Sequence, residues 1–391
     1  MLFFVFFSFS VSFDKYWCEP PLGKYRVRED ADLIQVQLIT RHGARTPLHI
    51  SPAFSNIWQC NYTELKHFNN GSPMNIHVSQ GDSIFLGDCH VGQLIQKGSD
   101  AITRLGKHLH DIYIDRLKFL PEKYRENIIK FRSTLTHRTL HSSLAFIKGF
   151  YPNGTFIKIE VSDKYIDPWR RSSQICPKLK EMIENVRNSK EYLEKFKENI
   201  TILEKAAKAI GSKTKSAPDI VMAARCNSMD LHTNATELLF DSAAILKAQQ
   251  QKYLFMHPSV FPLMFSFPAG EIANAMIERY NGNSSLRFIH WSAHDGNIFG
   301  FLGYFGVGSD KLPPYGSYIL LELWRFKRSG EFFVRMIFNG KALKIPRFGN
   351  AKFIPFDDFI AFIKSKMPRL NEDCNFTLQK FKKASVFKTD E

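Results

Sequence analysis

Strands and helices are predicted to alternate along the first part of the chain, and this alternation constrains the fold more than any other feature. An apolar, β-branched run over 32–40 predicts a buried strand, and residues 128–132 predict a second one. Apolar residues at helical spacing predict helices over 93–115 and 139–150. Because strand–helix alternation is typical of parallel sheets, we predict an α/β fold with a mostly parallel central sheet flanked by helices.

The middle of the chain differs in composition from the segments on either side. Lys, Glu, Leu and Ile dominate residues 178–215 without an internal turn signal, which predicts one or two long exposed helices. Helical character continues over 235–253 and 271–280. We therefore predict a helical insertion, or cap domain, over residues 161–284.

Strand signals return after the insertion and complete the predicted core. Apolar residues predict a strand over 285–292, and the segments 318–326 and 332–339 predict an antiparallel hairpin with a glycine-containing loop. The α/β core is therefore assigned to residues 13–160 and 285–391.

Residues 1–13 are apolar apart from three serines, a run too short to span a bilayer but typical of a secretory signal. The small residues Ser10 and Ser12 predict cleavage after residue 12, so residues 1–12 are assigned as a signal peptide. No Lys or Arg precedes the run, and a buried N-terminal strand is the alternative interpretation.

Two further features predict export through the secretory pathway. The six cysteines are scattered without a C-x-x-C motif, which favours disulfides over zinc sites, although the sequence leaves their pairing open. The expected location is the cell exterior or a lysosomal or Golgi lumen. N-x-S/T triplets predict a glycoprotein, with acceptors at Asn61, Asn70, Asn153, Asn199, Asn234, Asn283 and Asn375.

A net charge of +15, from 53 Lys+Arg against 38 Asp+Glu, raises the question of an anionic partner. We predict that nucleic acid is not this partner, because no known binding module is visible and the lysines of 178–215 alternate with glutamates. No apolar run reaches the ~20 residues of a membrane-spanning helix, so no transmembrane anchor is expected. A non-catalytic secreted protein that binds polyanions through Lys-rich 178–215 and 341–383 is one alternative.

The first segment with the composition of a catalytic site follows the first predicted strand directly. It reads Arg41-His42-Gly43-Ala44-Arg45-Thr46-Pro47, so two arginines flank a histidine. Ligands of open α/β sheets bind at the carboxyl ends of the strands, where this segment is expected to lie. Because guanidinium groups match phosphate oxygens, the segment predicts a phosphate site rather than a solvated basic turn.

Two more candidate segments are predicted at the same edge of the sheet. His294-Asp295 follows the predicted strand over 285–292. Arg138 lies between a predicted strand and the start of a helix, where anions bind. Together these residues would surround one anionic group.

Metal ligation is the main alternative to anion binding for His294-Asp295, because both residue types are common metal ligands. The permanent charges of Arg41 and Arg45, however, repel a divalent cation and attract an anion. His137 and His141 have the spacing of zinc ligands on a helix, but the glutamate of an H-E-x-x-H site is absent. We therefore expect no metal.

These motifs resemble those of the histidine acid phosphatases. Residues 41–47 match the family's R-H-G-x-R-x-P motif in full, and His294-Asp295 matches its distal H-D pair. The resemblance covers about 30–155 and 285–345. Other similar segments are 92–98, in which Ile95 replaces the usual Thr, 132–139 and 313–340.

The resemblance implies a phosphoric monoester hydrolase that needs no metal or other cofactor. In that family mechanism, His42 attacks phosphorus to form a phosphohistidine and Asp295 protonates the leaving alcohol. The groups implied to bind the phosphate are Arg41, Arg45, Arg138 and His294.

The natural substrate is left open by these motifs. Residues 137–152 and 292–339 also resemble the 2-phosphoxylose phosphatase branch of the family, which implies a phosphorylated glycan linker as one alternative. The basic surplus favours a highly anionic substrate, and inositol polyphosphates are a second alternative. The expected partners are thus a small phosphomonoester or a glycan and, as a further option, a second copy of the chain in a homodimer.

Overall fold

The structure is a computed structural model of the chain. The predicted signal peptide lies outside its described residues, as do the side chains of six predicted glycosylation acceptors; the seventh, Asn283, is exposed on the turn after a helix. The described residues are 18–53, 58, 60, 89–152, 157–162, 167–170, 176–229, 231, 233, 236–309, 311–368, 372 and 374, without the side chains of 198 and 199.

Each strand and helix predicted from the sequence is present, with shifts at the ends, and several short elements are additional. The strands are β1 (Ala31–Arg41), β2 (Ile129–Ser133), β3 (Ile159–Val161), β4 (Phe288–Ala293), β5 (Tyr318–Phe326), β6 (Phe332–Phe338), β7 (Lys341–Ala342) and β8 (Phe353–Pro355). The helices are α1 (Gln96–His110), which continues as a π-helix over Asp111–Arg116, α2 (His137–Phe150), α3 (Pro177–Asn188), α4 (Lys190–Ala209), α5 (Ala217–Cys226), α6 (Glu237–Met256), α7 (Phe261–Tyr280), α8 (Asp295–Tyr304) and α9 (Phe356–Lys366).

One sheet holds all eight strands, in the order β3-β2-β4-β1-β5-β6-β7, with β8 also paired to β6. The strands β3, β2, β4 and β1 are parallel, whereas β5 and the strands beyond it pair antiparallel. The α/β class is therefore confirmed, but the sheet is mixed rather than mostly parallel. The reason is that the predicted hairpin, β5–β6, joins the sheet beside β1 and extends it with antiparallel strands.

Side chains alternate between the two faces of β1, and helices cover both faces. Val36 and Leu38 pack in the core beneath α1 and α2, whereas Ile39 packs in the core beneath α7, α8 and α9. The parallel register pairs Arg41 with Ala293, so β1 and β4 end level at one edge of the sheet. The loops that carry the candidate residues start at this edge.

Helices α3 to α6 pack on one another in apolar clusters that also include residues of the core, such as Ala44 and Phe299, and α7 packs on both these helices and the sheet. The predicted limits of the cap, 161–284, stay a prediction. Among the described helices none is by itself long and apolar enough to cross a membrane, although α6 and α7, bent by 77° at their junction, meet that criterion as a pair.

Three disulfides pair all six cysteines and confirm the prediction of disulfides. Cys18–Cys226 ties the N-terminal segment to the end of α5, and Cys176–Cys374 ties the residue before α3 to the segment after α9. Cys60–Cys89 closes the segment before α1. Such bonds form in oxidising compartments and are typical of exported proteins.

Candidate active site

Glycines let the loop after β1 pack tightly against its neighbours. A Cβ on Gly43 would come within 2.4 Å of the Gly98 carbonyl oxygen, so the loop touches the first turn of α1. Gly92, at φ +69°, donates its backbone N–H to the Pro47 carbonyl oxygen over 2.8 Å. The absence of a side chain at Gly43 thus permits this close packing, and the contacts hold the loop in one conformation.

His42 opens this loop and is 2% exposed. Its Nδ1–H donates to the Gly43 carbonyl oxygen over 2.9 Å, and since that oxygen can only accept, the lone pair is on Nε2. Burial lowers the pKa of this imidazole well below its ordinary value, and the charges of Arg138, Arg45 and Arg41 act in the same direction. His42 therefore stays neutral at acid pH.

Arg41 is fully buried behind His42 and is held from two sides. Its Nη1 donates to the Pro313 carbonyl oxygen, and its guanidinium carbon lies 4.2 Å from the centre of the Tyr315 ring. Its Nη2 lies 3.5 Å from a carboxylate oxygen of Asp295. Neither Nε nor Nη2 has a hydrogen-bond partner, so two donors of a buried cation are left for a ligand.

Arg45 and Arg138 face the same space from different elements. Burial opposes the charged form of Arg45, but the carboxylate of Asp219, 2.7 Å from Nη2, raises the pKa of Arg45 overall. Burial, followed by the charge of Arg45, lowers the pKa of Arg138 to about 9, so Arg138 is still charged at acid pH. The Nε of each of these arginines is buried without a hydrogen-bond partner.

His294 lies between the end of β4 and the start of α8. Its Nε2 is 3.0 Å from Thr134 Oγ1, and its Nδ1 accepts from Arg138 Nη2 over 3.5 Å. Burial and the charge of Arg138 lower the pKa of His294 well below its ordinary value. The ring centres of His294 and His42 are 5.8 Å apart.

Asp295 is the first residue of α8, and its side chain is 40% exposed. Its Oδ1 accepts from the Gly296 backbone N–H over 2.8 Å. Burial favours the protonated carboxyl, but the charges of Arg41 and Arg45 outweigh it and lower the pKa of Asp295 below its ordinary value. The free site therefore holds an ionised Asp295.

All six site residues predicted from the sequence come together at the carboxyl edge of the parallel strands. Arg41 lies directly behind the others, which line a cleft of about 620 Å³. Sequence reasoning missed several further groups, for which no motif or spacing gives a signal. These are the acidic Asp219 and the basic Arg170, Lys215 and Lys247 of the cleft. Tyr315, beneath the arginines, lies in the segment 313–340 that resembles the family, but it was not predicted as a site residue.

Other polar residues of the quoted motifs have roles outside the cleft. Arg132 pairs with Asp167 over 2.5 Å. The rings of His137 and His141 stack at 3.7 Å, and burial lowers their pKa values to about 3 and about 4. No cluster of three or more ligand side chains suited to a metal occurs in the described part of the chain.

A sequence profile of the histidine phosphatase superfamily (branch 2) matches residues 32–339, which is most of the chain. The chain belongs to this family. The histidine phosphatase assignment confirms the resemblance stated above and makes the chain a phosphoric monoester hydrolase.

Curated relatives align with most of this histidine phosphatase at low identity. Counting factor 60 from Dictyostelium discoideum is 26% identical over 361 residues, covering 85% of this chain and 86% of that protein. 2-Phosphoxylose phosphatase 1 from Xenopus tropicalis is 25% identical and covers 83% and 72%. Lysophosphatidic acid phosphatase type 6 from Mus musculus is 22% identical and covers 84% of each.

Solved structures share the fold of this histidine phosphatase. The apo form of Hafnia alvei phytase has a TM-score of 0.62 at 12% identity, covering 88% of this chain and 99% of that one. Bifidobacterium longum multiple inositol polyphosphate phosphatase, in complex with inositol hexasulfate, has a TM-score of 0.56 at 12% identity and covers 92% and 99%. At such identities the likeness concerns the fold alone.

Proposed function

We propose that the chain is an acid phosphatase with His42 as nucleophile and Asp295 as proton donor. The observation that carries this proposal is the set of buried guanidinium nitrogens without partners, on Arg41, Arg45 and Arg138, around a neutral imidazole. Buried donors are normally satisfied, and a tetrahedral phosphate offers acceptors to several of them at once.

In the proposed reaction, Nε2 of His42 attacks phosphorus while the bond between phosphorus and the leaving oxygen breaks. Asp295 transfers its proton to that oxygen, so an alcohol departs. Water then attacks the phosphohistidine, its proton passes to the Asp295 carboxylate, and inorganic phosphate leaves with the imidazole neutral again. The arginines stabilise the charge on the transferring phosphoryl oxygens, and His294 is proposed to contact the same group.

Acid pH suits both proposed roles. His42 stays neutral because its pKa is lowered, and Asp295 needs a proton that the free site does not hold. A bound phosphate brings negative charge to the arginines that lower the pKa of Asp295, so that pKa rises when substrate binds. The proton is therefore expected to be taken up together with the substrate.

The outer part of the cleft favours a larger anionic substrate as a second candidate. Beyond the phosphate-binding arginines it is lined by the cationic Arg170, Lys215 and Lys247 and by apolar side chains that include Ile183 and Met264. A substrate with further anionic groups would be attracted by these cations. A phosphorylated glycan linker or an inositol polyphosphate would meet this requirement, and the relative named 2-phosphoxylose phosphatase 1 supports the glycan.

The test uses the purified full-length chain with p-nitrophenyl phosphate between pH 4 and 7. We expect hydrolysis that persists in EDTA, because the arginines carry the charge that a metal would otherwise supply. His42→Ala should abolish turnover, whereas His257→Ala, which alters a histidine outside the cleft, should not. No hydrolysis by the wild-type chain at any of these pH values would refute the proposal.

A substrate panel then separates the candidate substrates. Rates on inositol hexakisphosphate, a xylose 2-phosphate glycan and simple monoesters are compared at acid pH. Lys215→Gln combined with Lys247→Gln should raise KM for the polyanionic substrates and leave KM for p-nitrophenyl phosphate near the wild-type value. Equal changes on all substrates would argue against a role of these lysines in selection.

We further propose that the enzyme acts in the secretory lumen or outside the cell. The three disulfides and the predicted signal peptide support this location. A homodimer stays a prediction from the sequence.

A further inference from the structure

The side chain of Asp219, in the cap, accepts hydrogen bonds from the loop after β1. It lies in the first turn of α5, and its Oδ1 accepts from Arg45 Nη2 over 2.7 Å. Its Oδ2 accepts from the Leu48 backbone N–H over 2.9 Å and lies 3.5 Å from Arg45 Nη1. Both carboxylate oxygens are thus engaged by the loop.

These contacts fix the guanidinium plane of Arg45. The Arg45 side chain is 4% exposed, and its Nη1 also donates to the Thr46 carbonyl oxygen over 2.9 Å. Its two terminal nitrogens are therefore both occupied, and Nε is the nitrogen without a partner. An arginine held in this way presents its remaining donors, Nε–H and the second N–H of Nη2, in a fixed direction and loses little conformational entropy on binding.

The carboxylate also offsets a charge that would otherwise be buried next to other cations. In the described part of the chain, the acidic side chains that line the cleft are Asp219 and Asp295. Asp295 lies near Arg41, whereas Arg138 has no ion pair with a described carboxylate. Asp219 is therefore the direct ion-pair partner of Arg45, while its charge also acts on Arg138, and its loss would leave the buried Arg45 without a paired carboxylate.

The same loop is bonded to the cap at a second place. The Ser51 hydroxyl donates to the carbonyl oxygen of Ile210, directly after α4. The far end of α5 is tied by the Cys18–Cys226 disulfide. Covalent and polar contacts outside the phosphate site thus hold α5 in place. Because Asp219 belongs to α5 and bonds Arg45, the position of α5 determines where the Arg45 guanidinium lies.

We propose that Asp219 is a positioning residue, which fixes Arg45 for phosphate binding and makes the phosphate site depend on the placement of cap helix α5. The inference rests on the proposed function, because the position of Arg45 matters only where Arg45 binds phosphate. Asp219 acts through Arg45 and touches no reacting atom.

The experiment compares Asp219→Asn and Asp219→Ala with Asp241→Asn. Asp241 is a matched control, because it pairs with Arg225 in the cap but does not line the cleft. Phosphate affinity is measured as the competitive inhibition constant and, independently of turnover, as the rise in thermal midpoint with phosphate concentration. We expect phosphate to bind roughly 10- to 100-fold more weakly to Asp219→Ala, in line with the sensitivity of such sites to small misplacements.

Asp219→Asn should show a smaller loss, because its amide oxygen can still accept one of the hydrogen bonds. Asp241→Asn should keep the wild-type phosphate affinity even where its thermal midpoint falls, which separates positioning from general stability. In an Arg45→Ala background, Asp219→Ala should cause no further loss, since its effect passes through Arg45.

Wild-type affinity, or tighter binding, in both Asp219 variants would overturn the inference while leaving the proposed function intact. A further loss in the Arg45→Ala background would also overturn it. If the wild-type chain neither hydrolyses monoesters nor is stabilised by phosphate, the proposed function itself fails.

Discussion

Replacement of Asp295 by Asn would separate the two effects proposed for this carboxylate, on the chemical step and on phosphate binding. Asn keeps the shape of the side chain and an oxygen that can accept from the Gly296 N–H, so the start of α8 should be preserved. It removes the transferable proton and also the negative charge 3.5 Å from Arg41. The first loss should slow the chemical step, whereas the second should strengthen the binding of anions.

The size of each effect follows from the geometry. General acid catalysis contributes typically about 10²- to 10⁴-fold, which sets the expected loss of kcat on an alkyl phosphate. For binding, a pair of unit charges about 4 Å apart is worth up to about 4 kcal/mol at an effective dielectric constant of about 20. Because the Asp295 side chain is 40% exposed, solvent screening reduces this to about 1 kcal/mol, or roughly fivefold tighter phosphate binding.

The assay compares glycerol 2-phosphate with p-nitrophenyl phosphate at pH 5, with inorganic phosphate as competitive inhibitor. On the alkyl ester, kcat should fall by the full factor, but on the aryl ester it should change little, because p-nitrophenolate leaves without a proton. The inhibition constant of phosphate should decrease. Equal losses of kcat on both esters would refute the proton-donor role, and an increased inhibition constant would refute the electrostatic argument.

Two further predictions concern buried groups away from the cleft. Burial lowers the pKa of His290 to about 3, so at pH 4.5 this histidine is protonated in the unfolded chain but not in the folded chain. The free energy of unfolding should therefore fall by about 2–3 kcal/mol from neutral pH to pH 4.5. Urea unfolding of His290→Gln should show a correspondingly smaller pH dependence, and a pH dependence equal to that of the wild type would contradict this prediction. Glu322→Gln should lower the free energy of unfolding by about 3–5 kcal/mol, because it leaves the buried charge of Arg335, 2.6 Å away, uncompensated. Chemical denaturation of the double variant Glu322→Gln/Arg335→Met tests whether the unpaired charge causes this loss, since removal of the charge should recover part of it.

The candidate residues that the α/β core contributes to the site could be predicted, because their placement follows from the order of the parallel strands. The segments after β1, β2 and β4 each begin where a parallel strand ends, and parallel strands bring those ends to one edge. The register that pairs Arg41 with Ala293 and Ser133 with Ser292 shows how level the ends are. Residue type at a strand end was therefore sufficient to find these candidates.

The cap side of the site could not be predicted in this way. Asp219 follows Arg45 by 174 residues, and nothing in a helical pattern says which exposed carboxylate meets which arginine. Lys215 and Lys247 lie in segments whose lysines look alike in the sequence, and most of those lysines face solvent. Their selection depends on how the helices pack on the core, which is a tertiary property.

The antiparallel half of the sheet illustrates a related limit. The hairpin of β5 and β6 was predicted from its strands and loop, but a hairpin can pair with either edge of a sheet or stand apart. Its place beside β1 is supported by contacts with distant segments, because Glu322 of β5 accepts hydrogen bonds from both Tyr25 and Tyr113. The local sequence pattern thus predicts that a hairpin forms, whereas buried contacts between distant segments determine which strand it pairs with.

The positive charge of the cleft is divided into two zones with different physical roles. The inner arginines are buried, and some of their donors have no partner, so only a ligand with several closely spaced acceptors satisfies them. The outer Lys215 is exposed and Lys247 is partly exposed, and their flexible side chains can follow ligands of different shape. Under the proposed function, the inner zone selects the phosphate group and the outer zone contacts the group to which the phosphate is attached, so substitutions in the two zones should change different kinetic constants.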